Sequence, residues 1–217
     1  EALFEASIGS ISVSTWGEQG FTVSASTVLS GKNRRMEGAF HNPGAAEIRA
    51  HLQRLGKTSV PFEKLGFETW VPNRYQRIPA ESGVEYYDSS DLLEINPESV
   101  KRFMDCGFGD RFGGRVQKDW ILMPSSGQVY GIIGSAVLAG PGFDGKVLSN
   151  HVLRIAPTPE TSISPAYLQV ALSHPLLGRP MVKALAFGSS VPEIDPMELA
   201  RVPIARLGGK IEGEIAA

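Results

Sequence analysis

The sequence predicts a mixed α+β domain with an irregular mixed β-sheet and short helices packed against it. The 217 residues include 15 prolines and 24 glycines, which indicates many turns and short elements. Several short runs alternate apolar and polar residues, as strands do. Other segments begin with a capping residue followed by proline, which is typical of a helix start. Together these patterns favour one α+β domain, with or without short appendages.

Composition and charge exclude several classes of protein. The formal net charge of −2 provides no overall attraction to nucleic acids or acidic membranes. Cys106 is the only cysteine, so no internal disulfide can form, and the scattered histidines lack the spacing of a zinc site. No apolar run approaches the roughly 20 residues that span a bilayer, and we expect no signal peptide. We therefore expect a cytoplasmic chain with no metal or other cofactor.

The first part of the chain predicts a strand hairpin, a linker and a helix. Residues 11–26 alternate in polarity on both sides of a glycine-containing turn, and the polar segment "SGKNRRMEG" follows. Asn42 can then cap a helix, Pro43 occupies its first position and Gly56 can end it. Ile48 and neighbouring leucines fall on one face of this helix, which should pack against a sheet.

The middle of the chain predicts strands and turns. Prolines interrupt residues 60–91 and prevent a long helix. Residues 97–104 predict a short helix opened by Asn96, and a glycine-rich loop follows. The segments "DWILM" and "QVYGIIGSAVLA" predict paired strands, and residues 146–157 predict another strand.

The last part of the chain predicts three helices and a strand. Ser164 can cap the first helix, which has Pro165 at its start and Pro175 as its stop. The segment "LLGRPMVKALAFG" predicts a second helix ended by Gly188. Asp195 begins a third, which leads into the strand-like "RVPI".

Three kinds of enzyme site were tested against the motifs. The turn around Gly127 and Gly131 lacks the lysine of a phosphate-binding loop, and no Gly-x-Ser-x-Gly surrounds Ser125 and Ser126. "DCGFG" looks like the start of an S-adenosylmethionine loop, but a predicted helix precedes it where a buried strand is needed. A surface turn is favoured there, and a small S-adenosylmethionine- or nucleotide-binding enzyme using residues 105–114 stays open as an alternative.

The cations taken alone indicate an ordinary solvated surface. Arginines in "NRYQRI" and "DRFGGRVQK" suit contacts to phosphate or guanine, but aspartates and glutamates lie among them. A protein-interaction adaptor therefore also remains open.

The order of segments is more informative than any single motif. In sequence these are "RRMEGAFHNPGAAEIRAHLQRLG", "VPNRYQRIPAESGVEYYDSSDLL", "DWILMPSSGQVYGIIG", "LSNHVLRIAP" and "SPAYLQVALSHPLLGRPMVKALAFGSSVPEIDPMELARVPI". This order resembles the target recognition domain of type I restriction–modification specificity (S) subunits. The resemblance covers residues 34–207. It predicts an N-terminal hairpin and linker over 1–33, the recognition domain over 34–207 and a C-terminal tail over 208–217.

The resemblance implies sequence-specific recognition of double-stranded DNA by a chain with no catalytic residue. An S subunit works with a methyltransferase (modification) subunit, which methylates adenine, and with an ATP-driven restriction and translocation subunit in phage defence. The chain would be a half-length S subunit, a fragment, or the recognition module of a fused restriction–methylation or phage-defence methyltransferase. Because its net charge is −2, we expect weak DNA binding by the chain alone and specific binding within the complex.

The resemblance also implies where DNA is contacted. Glycines around "SSGQVYG" allow close approach to a duplex, and "GSS" at residues 188–190 offers backbone amides to a phosphate. The predicted DNA-contacting residues are Asn73, Arg74, Gln76, Arg77, Arg111, Arg115, Lys118, Ser125, Ser126, Gln128, Tyr130, Lys146, Asn150, Ser189 and Ser190.

Overall fold

The structure is a computed structural model that describes residues 2–11, 20–30, 34–55, 59–94, 102–105 and 113–217. Its helices are α1 (Ala2–Ile8), α2 (Ala25–Ser30), α3 (Pro43–Arg54), α4 (Pro165–Ser173), α5 (Gly178–Ala184), α6 (Pro196–Ala200) and α7 (Gly209–Ala216). Its strands are β1 (Ser59–Pro61), β2 (Phe67–Trp70), β3 (Pro79–Ala80), β4 (Val84–Tyr87), β5 (Phe103–Met104), β6 (Ile121–Pro124), β7 (Val137–Leu138), β8 (Val147–Leu148), β9 (Val152–Pro157) and β10 (Pro203–Ala205). The predicted α+β class is confirmed.

An antiparallel sheet with the order β2-β9-β6-β7 forms the middle layer. Strand β6 runs against β9, with Ile121 opposite Ile155 and Pro124 opposite Val152. Every residue of β6 is buried, and so is nearly all of β9. Both faces of these strands are therefore covered, which explains why "DWILM" is continuously apolar.

Alternate residues of β6 enter two different cores. Ile121 and Met123 belong to the larger core, which also contains the apolar sides of α3 and α4. Leu122 belongs to a smaller core with Tyr87 and Phe143. Since side chains alternate along a strand, the sheet separates a helical layer from a smaller β layer.

The β layer is a second sheet with the order β3-β5-β4-β8, in which β4 and β8 are parallel. Arg154 of β9 is fully buried and ties the two sheets together. It donates to the carbonyl oxygens of Leu148 at 2.7 Å, Ser149 at 2.9 Å and Gly114 at 3.3 Å, and also to that of Val152. Burial lowers the pKa of Arg154 to about 10. Carbonyl dipoles therefore stabilise the buried charge, and the guanidinium in turn fixes the turn between β8 and β9.

Local cap signals correctly predicted three of the seven helices that the structure describes. The side chains of Asn42, Ser164 and Asp195 accept hydrogen bonds from the first-turn amides of α3, α4 and α6. Helix α5 lies within the predicted segment but begins at Gly178, after the two leucines, and ends at Ala184, before Gly188. Beyond it the chain turns back and pairs Phe187 with Glu193. The predicted stop at Gly56 lies outside the described residues.

Several other predicted elements are wrong where the structure describes them. In the proposed hairpin over residues 11–26, positions 12–19 lie outside the described residues, 20–24 form no strand, and α2 begins at Ala25. The Ser24 hydroxyl accepts from the Thr27 amide at 3.2 Å and so favours a helix start. Of the predicted helix over 97–104, only 102–104 are described, and Phe103–Met104 is a strand because it pairs with β3 and β4.

The strand predicted for "QVYGIIGSAVLA" is mostly a series of turns. Only Val137–Leu138 pairs with β6, and residues 129–134 form consecutive turns. Gly127 and Gly134 have φ values of 144° and 76°, which side-chain-bearing residues rarely adopt. Likewise, residues 146–157 contain two strands, β8 and β9, joined by a turn.

Both ends of the chain pack on the larger core. Phe4 and Ile8 of α1 are buried there, and the Phe4 ring lies 6.0 Å from that of Tyr167. The predicted C-terminal tail forms α7, in which Glu212 accepts from the amide of Leu207 at 2.8 Å. The predicted limits at 33/34 and 207/208 stay predictions, and α1 and α7 share one core with the segment between them.

Candidate functional site

Three segments that are distant in sequence meet where β6 ends. The Ser125 amide donates to His151 O at 2.9 Å, the Gly127 amide to Pro192 O at 3.0 Å, and the Ile194 amide to Ser125 O at 2.8 Å. We call the group formed by residues 125–131, 149–151 and 187–194 the junction. It brings together the predicted residues of "SSGQVYG", Asn150 and "GSS".

The two serines of the junction face inward. Ser125 Oγ donates to His151 O at 3.0 Å, and Ser126 Oγ lies 3.0 Å from His151 Nδ1. Both serines are buried, whereas His151 is exposed. The serines therefore hold the turn and orient the imidazole, so that the exposed group in this part of the junction is His151. A lone histidine in "LSNHVLRIAP" gave no signal for this role.

Other junction side chains are directed to solvent. Tyr130 is 98% exposed, and Gln128, Ser189 and Ser190 are exposed as well. The neighbouring residue Val129 packs against the larger core. Because Val129 anchors the turn, Tyr130 is held outward by a fixed backbone.

A cleft of about 250 Å³ opens beside the junction and is lined by Asn150, His151, Phe187, Glu193 and Asp195, among others. Glu193 and Asp195 supply negative charge, and Asp195 already accepts from the first amides of α6. Carboxylates repel phosphate, so this cleft favours a hydrogen-bond donor over an anion.

Arg35 positions the start of the junction loop. Its guanidinium donates to Leu185 O at 2.7 Å and Ala186 O at 3.0 Å, and it lies over the rings of Phe40 and Phe187. The residue is 8% exposed. In the sequence this arginine lies in a predicted polar linker, and its anchoring role is hidden because its partners lie some 150 residues away.

The segment between β2 and β3 presents polar side chains around one anchor. Tyr75 is buried and donates its hydroxyl to Leu148 O at 2.6 Å. Its neighbours Asn73, Arg74 and Gln76 are exposed. The anchor therefore fixes the backbone from which three of the predicted contact residues project.

Arg77 belongs to an arginine–aspartate network with Arg102, Asp88 and Asp91. Arg77 Nη1 lies 2.9 Å from Asp88 Oδ1 and 3.0 Å from the Tyr86 hydroxyl. Arg102 pairs with both aspartates, and Asp91 also accepts from the Asp88 amide at 2.7 Å. Burial, together with the Asp88 carboxylate, raises the pKa of Tyr86 to about 12. The network borders a cleft of about 460 Å³, and sequence analysis did not identify Arg102.

The remaining predicted cations have internal partners or lie outside the description. Arg115 Nη1 donates to Gly145 O at 2.7 Å, and Lys146 Nζ lies 2.7 Å from a Glu85 carboxylate oxygen. Lys118 is exposed, with its Nζ 3.9 Å from Asp119 Oδ2. Arg111 lies outside the described residues. For Arg115 and Lys146, these contacts within the fold explain why a positive side chain is present at each position.

Other kinds of site find little support in the described part of the chain. There, no group of three or more His, Cys, Asp or Glu side chains is arranged to hold a metal ion. In the same residues no helix is long and apolar enough to cross a membrane. Most of the alternative cofactor loop over 105–114 lies outside them.

Comparison with solved structures shows a similarity of fold. No protein-family model matches the sequence, and no curated protein is significantly similar to it. The fold is similar to the crystal structure of a Type-I restriction-modification system S subunit from M. genitalium, with a TM-score of 0.51 and 15% identity. The match covers 73% of this chain and 37% of that one. What the two proteins share is the fold.

Proposed function

We propose that this chain is a sequence-specific DNA-recognition domain of a type I restriction–modification system. In this proposal it directs an adenine methyltransferase subunit and a restriction subunit to their target in the cytoplasm, and has no catalytic residue. One observation carries the proposal. Segments that resemble those of the recognition domain occur in the same order along a chain whose fold is similar to that of a type I S subunit. Fold alone would not suffice, because one fold serves many functions.

The exposed side chains are of the kinds that read base edges. Glutamine and asparagine can form two hydrogen bonds with adenine, and arginine with guanine. Gln128 at the junction and Arg74 beside the Tyr75 anchor are exposed on fixed backbone. We expect these two residues to contact bases, with His151 as an additional polar contact.

The Ser126–His151 pair does not favour catalysis. A nucleophilic serine needs a base that is itself oriented by a third group. Here the contact uses Nδ1, and Nε2 has no hydrogen-bond partner among the described residues. Ser126 is also only 9% exposed. The pair is therefore better suited to holding the imidazole than to attacking a substrate.

Mapping of methylated adenines in cells that carry the complete system tests the proposal. We expect one methylated motif to disappear when the gene for this chain is deleted. Gln128→Ala or Arg74→Ala should weaken or change that motif, because each removes a predicted base contact. Lys64→Gln serves as a control, since Lys64 is exposed in the turn before β2, at the Phe67–Pro157 end of the sheet and away from the junction. An unchanged set of methylated motifs after deletion contradicts the proposal.

Gene organisation and copurification separate two forms of the proposal. If the chain is the recognition module of a fused enzyme, the methyltransferase will be encoded in the same reading frame. If it is an S subunit or part of one, it will copurify with a separate modification subunit.

A further inference from the structure

The turn that follows Tyr130 rests on two cations of helix α5. Arg179 and Lys183 are one helical turn apart and so share a face of α5. Arg179 Nη2 donates to Ser135 Oγ at 3.2 Å. A Cβ placed on Gly134 would lie 3.6 Å from Lys183 Cγ, which shows how closely the turn approaches the helix. The two cations therefore border the turn over residues 131–135.

Within the described part of the chain, these cations lack a counter-charge. Among the described residues, no carboxylate forms an ion pair with Arg179 or Lys183. Both side chains are half-buried, and Arg179 Nε is buried without a hydrogen-bond partner. Burial and the neighbouring Arg179 charge lower the pKa of Lys183.

Such an arrangement costs free energy until an anion binds. A buried donor without an acceptor loses its hydration, and two adjacent like charges repel each other. A bound anion offsets the repulsion between the two charges. Arginine presents a planar fork that matches phosphate oxygens, and lysine adds a point charge.

We infer that Arg179 and Lys183 bind backbone phosphates of DNA beside the turn that carries Gln128 and Tyr130. This inference rests on the proposed function and adds to it a site for the DNA backbone. Because residues 129–134 form consecutive turns and Gln128 directly precedes them, a DNA strand held at Arg179 and Lys183 would lie near both exposed side chains. Phosphate contacts of this kind fix the register in which base edges are read.

Salt-dependent DNA binding tests the site. The probe is a short fluorescent DNA duplex of random sequence, and its affinity for the chain is measured by anisotropy over a range of low salt concentrations. We expect Arg179→Gln and Lys183→Gln each to reduce the slope of log affinity against log salt by about 1, and the double variant by about 2. The loss should be equal for target and random DNA, because phosphates carry no sequence information.

The charge-matched control is Lys64→Gln, which removes one positive charge at the opposite end of the central sheet. Lys64 precedes β2, whose Phe67 pairs with Pro157, whereas the junction begins after Pro124, which pairs with Val152. Its slope should equal that of the unaltered chain. The charge-conserving variants Arg179→Lys and Lys183→Arg should keep most of the slope.

Each outcome supports or overturns the site. A double variant that binds with an unchanged slope overturns the phosphate site and leaves the proposed function standing. An unaltered chain that binds no DNA at any salt concentration overturns the site, while deletion mapping of methylated motifs still decides the function. Should Arg179→Gln fail to fold, Lys183→Gln decides alone, because the Lys183 side chain forms no hydrogen bond with the residues that the structure describes.

Discussion

Two groups of cations lie near exposed polar turns, and they differ in what neutralises them. In the arginine–aspartate network, Arg77 and Arg102 pair with Asp88 and Asp91. On α5, Arg179 and its neighbouring lysine have no such partner in the described chain. Of the first group, the sequence and its family resemblance pointed only to Arg77, in "NRYQRI", and they gave no reason to choose the second group. We therefore expect pairing in the fold, more than the local density of cations, to determine which charges can bind an anion.

Arg154 extends the comparison to an arginine used entirely for structure. Arg154→Met should reduce the free energy of unfolding by about 3 kcal/mol, because several buried carbonyl oxygens lose their donor at once. Urea denaturation measures this effect. The control is Arg54→Met on the exposed side of α3, which should change stability by less than about 0.5 kcal/mol. Equal midpoints for the two variants would contradict a structural role for Arg154.

Breaking the arginine–aspartate network should lower stability by less than the loss of Arg154. It should also make Arg102 resemble the unpaired cations of α5. Asp91→Asn should cost about 1–2 kcal/mol of stability, because the carboxylate is 12% exposed and accepts from both Arg102 and the Asp88 amide. It should also strengthen binding to random-sequence duplex DNA, since Arg102 loses a counter-charge. Glu63→Gln removes an equal charge from an exposed site and is the control for binding. Unchanged DNA affinity in Asp91→Asn would show that releasing a partner does not make this arginine available.

Tyr130 should show the smallest effect, confined to binding. Tyr130→Ala should leave the melting temperature unchanged because the side chain is 98% exposed. Within the assembled complex it should weaken target binding by about tenfold, equivalent to about 1.4 kcal/mol for a lost aromatic contact with a base. Tyr130→Phe keeps the ring and separates stacking from hydrogen bonding. A fall in melting temperature that matches the loss of binding would indicate a structural role.

Local signals predicted local structure well. Asn42, Ser164 and Asp195 cap helices because their side-chain oxygens reach amides two or three residues ahead, which a sequence reveals directly. The strand predicted after Gly127 failed because β propensity in "QVYGIIG" yields to glycines at positive φ. Strand β5 was missed because its two residues are strand only through pairing with β3 and β4.

The candidate site was less predictable, because residue type does not reveal which way a side chain points. Ser125 and Gln128 both suit base contacts, but the serine hydroxyl is tied to His151 O and the glutamine is exposed. The anchoring role of Arg35 depends on carbonyls at the end of α5. Such contacts exist only after folding. The sequence therefore indicated which side chains have suitable polar groups, and not where those groups lie. The predicted base contacts themselves stay predictions.

Gly178 has a consequence for how such a domain can change its target. A Cβ at this position would collide with Ala171 O and would lie 2.6 Å from Leu172 O, so α5 can lie this close to α4 only with glycine there. The location of Arg179 is thus set by the packing of two helices, independently of the residues in the exposed turns. Holding DNA and reading it would then be separate properties of the chain. Under the proposed function, substitutions at Gln128 or Tyr130 should alter which bases are preferred while the duplex stays in the same place.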